Sequence, residues 1–296
     1  MKGKGTTFGA VSILNGIAGG KGVTASVKLG TESTAELEKA PGEWRVFINE
    51  KEIQSRLALE TVRLALKTAG KEPSEYSGTI RTTTEIPSSV GLKTSSSSSS
   101  AIALAVFAAL GQKAFDPQKI MTCSIEASLA SGTSVTGAMD DAASCLLGGI
   151  NIADNLGRKI VRSKLFDKTL KVLIRIPRAT SSKRNTVELV HMRKFGKVAD
   201  VLFKMCMDGD YWRAMTLNGT VYSAILGYDP TAALLAVEHD ALGASLSGTG
   251  PATAAVFEPK MMDEEIKSLI TAWSSDGSRV IETETNNEHG RIQSLD

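Results

Sequence analysis

The chain has 296 residues, of which 42% are hydrophobic and 22% charged, and its formal net charge is +2. This composition is ordinary for a soluble globular protein of one large or two moderate domains, and the even charge balance gives no indication of a nucleic-acid partner. The N-terminus lacks the apolar segment of a signal peptide, and the longest apolar run, residues 101–110, is too short to span a bilayer. We therefore expect a cytoplasmic protein without a membrane partner, and no pattern in the sequence indicates an oligomeric state.

Strands and helices are predicted to alternate in the first half of the chain, with a glycine-rich turn between the first two strands. The assignments follow apolar spacing and the positions of glycine and proline. The predicted strands are residues 6–13, 23–29, 44–48 and 79–86. The predicted helices are residues 53–69, 101–110, 117–130 and 138–147.

The pattern changes after residue 151, where short strands and helices are mixed as in an α+β domain. The predicted strands are residues 159–163, 170–176 and 278–285, together with two strands around a glycine-rich turn in residues 243–257. The predicted helices are residues 187–206, 211–226, 231–238 and 263–273. We predict a domain boundary near residue 160, which divides residues 1–160 from residues 161–296.

The segment from residue 85 to residue 110 reads EIPSSVGLKTSSSSSSAIALAVFAAL and contains the main functional signal. Hydroxyl residues favour helix N-termini, and the apolar run that begins at Ala101 is typical of a buried helix. A loop that brings backbone N–H groups to a helix N-terminus forms an anion site, to which Lys93 adds a positive charge. The expected anion is the phosphate chain of a nucleotide. A serine run is also typical of a flexible linker, which is the alternative interpretation.

A second glycine-rich segment, SLSGTGPAT at residues 245–253, lies between two predicted strands. It indicates either a simple hairpin turn or a nest of backbone N–H groups that binds an anion. The common phosphate-binding loop GxxxxGK[ST] is absent, and the G-x-G-x-x-A match that begins at Gly20 leads into a strand rather than a helix. Two glycine- and serine-rich loops in different halves of the chain predict a ligand cleft between domains.

Three carboxylates are candidates for chemistry in such a cleft. Glu126 lies on the helix predicted at residues 117–130, and Asp140 and Asp141 interrupt a small, apolar segment where an unpaired charge is costly. Phosphoryl transfer needs a metal ion, a positive group near the phosphates and a base for the acceptor hydroxyl. Glu126 and a serine of the loop are candidate Mg²⁺ ligands, and one aspartate is a candidate base. Solvated helix-surface positions are the alternative interpretation for Glu126 and Asp141.

These segments, in this order, resemble the motifs of the GHMP kinase superfamily. The second motif, P-x-x-x-G-L-G-S-S-A, is similar to residues 87–96, with Lys93 in place of the usual glycine, and the third motif is similar to residues 247–251. Within the superfamily, the chain most resembles the archaeal shikimate kinases, in the stretches GLKTSSS, SVTGAMDDAAS and VIETETNN.

The resemblance implies an α+β fold with the two-domain GHMP kinase architecture. Its N-terminal domain would be ribosomal protein S5 domain 2-like and bind ATP, and its C-terminal domain would be ferredoxin-like. The implied activity is ATP-dependent phosphorylation of the shikimate 3-hydroxyl in aromatic amino acid synthesis, with Mg²⁺ as a further cofactor. The alternatives are a mevalonate- or homoserine-type kinase and a non-catalytic binding protein. Asp140 argues against the homoserine type, and Ser95, Glu126 and Asp140 together argue against the non-catalytic one.

The resemblance also implies roles for single residues. Asp140 would be the general base, with Asp141 as the second choice. The lysine of the family's first motif is Ala10 here, so either Lys93 or Lys21 would supply its charge or the base would work without one. The implied Mg²⁺ ligands are Ser95 and Glu126. The implied phosphate loop is Pro87, Ser88, Ser89, Val90, Gly91, Leu92, Lys93, Thr94, Ser95, Ser96 and Ser97. The implied substrate contacts are Asn15, Thr136, Gly248, Thr249 and Gly250. The candidate cations for a substrate carboxylate, unless they belong to a solvated loop, are Arg178, Lys183 and Arg184.

Overall fold

Two β-sheets organise the chain in the computed structural model, which describes residues 1–112, 114–134, 136–178 and 189–295. The first sheet contains β1 (Lys2–Leu14), β2 (Lys21–Glu38), β3 (Trp44–Ile48), β4 (Lys51–Glu52), β5 (Ser77–Thr84), β6 (Ile150–Asp154), β7 (Lys159–Lys164) and β12 (Arg291–Ser294). The second sheet contains β8 (Lys171–Ile176), β9 (Gly243–Leu246), β10 (Thr253–Phe257) and β11 (Arg279–Glu284). The helices are α1 (Arg56–Thr68), α2 (Thr94–Ala109), α3 (Pro117–Ala130), α4 (Met139–Leu147), α5 (Leu189–Arg193), α6 (Gly196–Met207), α7 (Tyr211–Leu226), α8 (Thr231–Glu238) and α9 (Asp263–Ser274).

The first sheet is built on the long antiparallel pair β1–β2. Its strand order is β12-β1-β2-β5-β3-β4, and β6 pairs with β2 and with β7. The turn that joins β1 to β2 is the predicted glycine-rich segment. The end of β1 and the start of β2 therefore lie close to the end of β6, which pairs with the first residues of β2. The predicted strands of this half are confirmed, whereas β4, β6 and β12 were not expected.

Helix α2 is the buried helix of the first half, and it begins at Thr94 rather than at Ala101. The serine run is therefore neither a linker nor a loop, because residues 96–109 are all buried within the helix. Serine hydroxyls are tolerated there because they bond to backbone carbonyls or to one another. Ser99 Oγ donates to Ser95 O (2.8 Å), and the hydroxyls of Ser97 and Thr7 lie 3.0 Å apart.

The second sheet is antiparallel, in the order β11-β8-β10-β9, and it is covered on both faces. Val172 and Ile174 of β8 belong to a core that also contains Val11 of β1, whereas Leu173 belongs to a separate core with Trp273 of α9. This alternation follows from the two-residue period of a strand. Because the first of these cores includes residues of both sheets, it fixes the second half of the chain against the ends of β1 and β2.

Two predictions for the second half of the chain concern the helix over residues 187–206 and the domain boundary near residue 160. The single helix expected over residues 187–206 is wrong, because the chain turns between α5 and α6, and residues 187–188 lie outside the described residues. The boundary near residue 160 stays a prediction, although it falls within β7, and β12 returns to pair with β1. In the described parts of the chain, no helix is long and apolar enough to cross a membrane.

Helix α2 packs directly on the backbone of β1, and glycine makes this approach possible. A Cβ atom on Gly5 would lie 2.5 Å from the Cβ atom of Leu104 and would also overlap the backbone of Ala101. A Cβ atom on Gly3 would overlap the backbone of α2 in the same way. The close packing of α2 on β1 therefore depends on glycine at positions 3 and 5.

We expect Gly5→Ala to lower the free energy of unfolding by about 1–3 kcal/mol, because the extra methyl group must push β1 and α2 apart. Urea denaturation measures this difference. Gly196→Ala is the matched control, since a Cβ atom there would meet nothing closer than Ala18 O at 3.8 Å. Equal stability of Gly5→Ala and the wild type would contradict the close packing.

Candidate active site

A cavity of about 710 Å³ opens where the end of β1, the start of α2, the start of α4 and the loop after β9 come together. Most of its wall is made of glycines and of hydroxyl or amide side chains. Its lining residues are Ser12, Asn15, Gly16, Ile17, Ser89, Gly91, Leu92, Lys93, Thr94, Ser95, Ser96, Ser128, Gly132, Thr133, Ser134, Thr136, Ala138, Asp140, Asp141, Asn155, Met192, Leu226, Gly248 and Thr249.

The N-terminus of α2 forms one wall of the cavity. Its N-cap residue, Lys93, has a left-handed conformation (φ 65°) and makes no side-chain capping bond. The first helical hydrogen bond runs from Ser97 N to Lys93 O (3.0 Å), so the N–H groups of Thr94, Ser95 and Ser96 precede the helical ladder. Such groups, at the positive end of a helix dipole, bind anions. The residues present therefore fit a phosphate chain.

The two predicted glycine- and serine-rich loops meet at this wall. Ser247 Oγ donates to Gly91 O (2.8 Å) and accepts from Ser12 N (3.2 Å), and Gly248 N donates to Ser12 Oγ (3.0 Å). Gly91 has φ +93°, and a Cβ atom on it would overlap Ser247 O. The close approach of the loops thus requires glycine at position 91.

Asn15 joins the end of β1 to the same loop. Its amide nitrogen donates to Gly248 O (2.6 Å), and its amide oxygen accepts from Ile17 N (3.1 Å). The Asn15 backbone is held in turn by Asn218 Oδ1 (2.9 Å) and by the Tyr222 hydroxyl (2.9 Å). Asn15 therefore lines the cavity, and its side chain also fixes the shape of the wall.

Three ionisable groups lie together at the junction of α2 and α4. Lys93 Nζ is 3.0 Å from Asp141 Oδ1, and both side chains are largely buried. Asp140 is only 4% exposed. Lys21, the other candidate for the missing lysine, lies at the surface and pairs with Asp200 instead. The structure thus places Lys93, and not Lys21, beside the two aspartates.

These groups perturb one another's protonation. Burial and the neighbouring Asp141 raise the pKa of Asp140 to about 7, and Lys93 and Asn155 oppose this rise. Burial would lower the pKa of Lys93, but the charges of Asp141 and Asp140 outweigh it and raise the pKa overall. Lys93 therefore stays charged at neutral pH, while Asp140 can both accept and release a proton.

Some predicted residues lie outside the lining. The Val90 side chain is in the core, and the Ser97 hydroxyl faces Thr7. The carboxylate of Glu126 contacts Arg158. The other predicted residues that do not line the cavity are Pro87, Ser88, Gly250 and Arg178. Lys183 and Arg184 lie outside the described residues.

The cavity also contains polar residues that the sequence analysis missed, above all Ser12 and Asn155. Ser12 lies within a long buried strand, where a single serine gives no functional signal. Asn155 N donates to Gly20 O (2.7 Å), and Asn155 Oδ1 accepts from Asp140 N (3.0 Å). Since Asn155 follows β6, a strand that was not predicted, its position beside Asp140 could not be inferred.

Few of the side chains described near the cavity are candidate ligands for a metal ion. In the described residues, no group of three or more His, Cys, Asp or Glu side chains could hold a metal ion. A nucleotide-bound Mg²⁺ usually takes only one or two protein ligands, because the phosphates and water supply the others. Ser95, at the N-terminus of α2, fits this role, whereas Glu126 does not line the cavity.

The fold defines a class of protein. Residues 56–149 match the family described as GHMP kinases N terminal domain. The crystal structure of the Methanococcus jannaschii mevalonate kinase shares this fold, with a TM-score of 0.72 and 18% identity over 95% of this chain and 98% of that one. The predicted α+β GHMP kinase architecture is thereby confirmed.

Relatives with higher sequence identity identify a family within this class. The shikimate kinase of Methanothrix thermoacetophila is 36% identical over 100% of this chain and 98% of its own length. The shikimate kinase of Methanosarcina mazei is 36% identical over 97% of this chain and 95% of its own length. The chain therefore belongs to the archaeal shikimate kinase family of the GHMP kinase superfamily.

The raised pKa of Asp140 predicts a pH-dependent stability. The folded state holds a proton that the unfolded state releases above pH 3.8, so this stabilisation is complete below pH 3.8 and is lost as pH rises through about 7. Asp140→Asn lacks the buried charge. We expect its free energy of unfolding to exceed that of the wild type at pH 8 by on the order of 3 kcal/mol, and the difference to vanish near pH 4.

Urea denaturation at several pH values measures this difference. Asp200→Asn is the control, since Asp200 is exposed and should show no comparable trend. If the difference in the free energy of unfolding between Asp140→Asn and the wild type is the same at pH 4 and pH 8, Asp140 has an ordinary pKa in the folded protein.

Proposed function

We propose that this protein is an ATP-dependent kinase that transfers a phosphoryl group to the 3-hydroxyl of shikimate and forms 3-phosphoshikimate. One observation carries the proposal: a buried aspartate with a pKa of about 7 and a helix N-terminus suited to phosphate line the same cavity. The full-length similarity to proteins named shikimate kinase supports the choice of acceptor.

Binding of the nucleotide is assigned to the N-terminus of α2. The N–H groups of Thr94, Ser95 and Ser96 would hold phosphate oxygens, and the serine hydroxyls add further donors. Bound Mg²⁺-ATP supplies the phosphoryl group and the positive charge that neutralises its oxygens. Such fixed donors stabilise the charge without reorganising during the reaction.

Activation of the acceptor is assigned to Asp140. Its carboxylate would accept the proton of the attacking hydroxyl, and a pKa near 7 favours this role at neutral pH. Lys93 keeps a positive charge beside Asp140 and helps to hold that carboxylate ionised. Asp141 pairs with Lys93 and thereby fixes its position, so we assign it a supporting role.

Contacts with the acceptor are assigned to other residues that line the cavity. Asn15, Thr136, Gly248 and Thr249 line the cavity and offer amide, hydroxyl and backbone groups to a polyhydroxylated ring. Among the lining residues that the structure describes, Lys93 is the only cation, and Asp141 already pairs with it. Neutral donors would therefore make most of the contacts with the acceptor.

We expect purified protein with Mg²⁺-ATP to release ADP in the presence of shikimate, but not with homoserine or mevalonate. A coupled ADP assay and mass spectrometry of the product measure this. Turnover with another acceptor would keep the kinase class and overturn the substrate. The absence of turnover with all three, despite ATP binding, would favour a non-catalytic protein.

Asp140→Asn tests the base in the same assay. We expect its kcat to fall roughly 10²–10⁴-fold, since that is the usual contribution of general-base catalysis, while ATP affinity is kept. The surface variant Asp200→Asn should retain wild-type kcat. A value of kcat close to wild type in Asp140→Asn would remove Asp140 from the role of base.

Ser95→Ala tests the metal ligand. We expect it to raise the Mg²⁺ concentration needed for half-maximal rate by roughly 10-fold, because one protein oxygen ligand is lost. Glu126→Ala is the matched comparison. An effect confined to Ser95→Ala would assign the site to Ser95 alone, whereas a shift in Glu126→Ala would mean that Glu126 leaves Arg158 when the nucleotide binds.

A further inference from the structure

The N-terminus of α4 carries the proposed base but lacks a local cap. Its N-cap residue is Ala138, which has a left-handed conformation (φ 50°, ψ 58°) and no side-chain acceptor. Asp140 lies in the first turn, where backbone N–H groups have no helical partner. The Asp140 N–H group finds its acceptor elsewhere, on Asn155 Oδ1 at 3.0 Å. A residue that follows β6 thus acts as the cap of α4.

Asn155 is itself firmly held. It is 3% exposed, and its backbone N–H group donates to Gly20 O (2.7 Å). Its amide nitrogen lies over two glycines, since a Cβ atom would be 2.5 Å from it at Gly16 and 3.1 Å from it at Gly22. The β1–β2 turn therefore leaves room for this side chain only because both positions are glycine.

The carboxylate of Asp140 occupies the same space. A Cβ atom on Gly22 would overlap Asp140 Oδ2 and would lie 2.5 Å from Asp140 Cγ. The amide nitrogen of Asn155 and the carboxylate of Asp140 thus lie side by side above Gly22, while the amide oxygen of Asn155 binds the Asp140 backbone.

We propose that Asn155 is a positioning residue for the general base, with its amide oxygen fixing the Asp140 backbone and its amide nitrogen facing the Asp140 carboxylate. This inference rests on the proposed function, in which Asp140 receives the acceptor's proton. The two contacts fix both the direction of the carboxylate and its ionisation, because an N–H donor favours the charged form.

The electrostatic surroundings of Asp140 agree with this role. Asp141 raises the pKa of Asp140, and Lys93 and the Asn155 side chain lower it. Burial raises the pKa of Cys145 well above its usual value, so that thiol stays neutral and adds no charge. Asn155 is therefore a neutral side chain that favours the ionised form of Asp140.

Asn155→Asp tests the proposal because it keeps the shape of the side chain and an acceptor for Asp140 N, but replaces the amide donor by a carboxylate oxygen. We expect the acid limb of the pH profile of kcat/KM for shikimate to move up by about one pH unit or more. At pH 7 kcat/KM should fall at least about 5-fold and recover at higher pH, with KM for ATP unchanged.

Asn151→Asp is the matched control. Asn151 lies on β6 and is fully buried, and it bonds to Ser144 and Gly148 near the other end of α4. This variant should lose stability without any shift of the acid limb. A shift of similar size in Asn151→Asp would reduce the role of Asn155 to general support of α4.

A direct titration separates this inference from the proposed function. Carbon-13 NMR of aspartate-labelled protein, with Asp140→Asn for assignment, should give a higher pKa for Asp140 in Asn155→Asp than in the wild type. An unchanged pKa, or a raised KM for shikimate with an unmoved acid limb, would overturn the inference. A wild type that does not turn over shikimate would overturn the proposed function instead, while the titration would still decide the role of Asn155.

Discussion

The buried contact between Lys93 and Asp141 is the interaction on which the site depends. It joins the N-cap of α2 to the first turn of α4, so two helix N-termini face one cavity. Acidic side chains suit the first turn of α4, whereas a lysine at the N-terminus of α2 opposes the helix dipole. Its left-handed conformation costs a further 1–2 kcal/mol or so. The charges of the two aspartates raise the pKa of Lys93 and thereby favour its charged form at this position.

Glycine at the closest backbone approaches is the second constraint. Gly22 leaves space for the Asp140 carboxylate, and Gly91 lets the loop before α2 reach the loop after β9. Both contacts join segments that are far apart in the sequence. A Cβ atom on Gly22 would displace the Asp140 carboxylate, and one on Gly91 would displace the backbone at Ser247. These glycines therefore control the geometry of the cavity and not only the shape of a turn.

Much of the secondary structure could be predicted from the sequence, because local signals determine it. Helix α3 begins at a proline, and α7 and α8 lie between clear breaks, so their predicted bounds match those observed. The predicted start of α2 was wrong because serines such as Ser97 and Ser99 are buried through hydrogen bonds that an apolar pattern does not reveal. The nearness of Lys93 to Asp141 and of Asn155 to Asp140 could not be predicted either, since each depends on the packing of distant segments.

The charge of the cavity explains why its base needs several neighbours. Among the lining residues that the structure describes, the ionisable ones are Lys93, Asp140 and Asp141, so the fully ionised site has a net charge of −1. A triphosphate that enters this cavity adds more negative charge and raises the pKa of Asp140 further. The lysine, already paired with Asp141, cannot offset both. In the proposed reaction, the α2 N-terminus and a cation that accompanies the nucleotide would therefore keep Asp140 ionised, which would link phosphate binding to the activation of the acceptor.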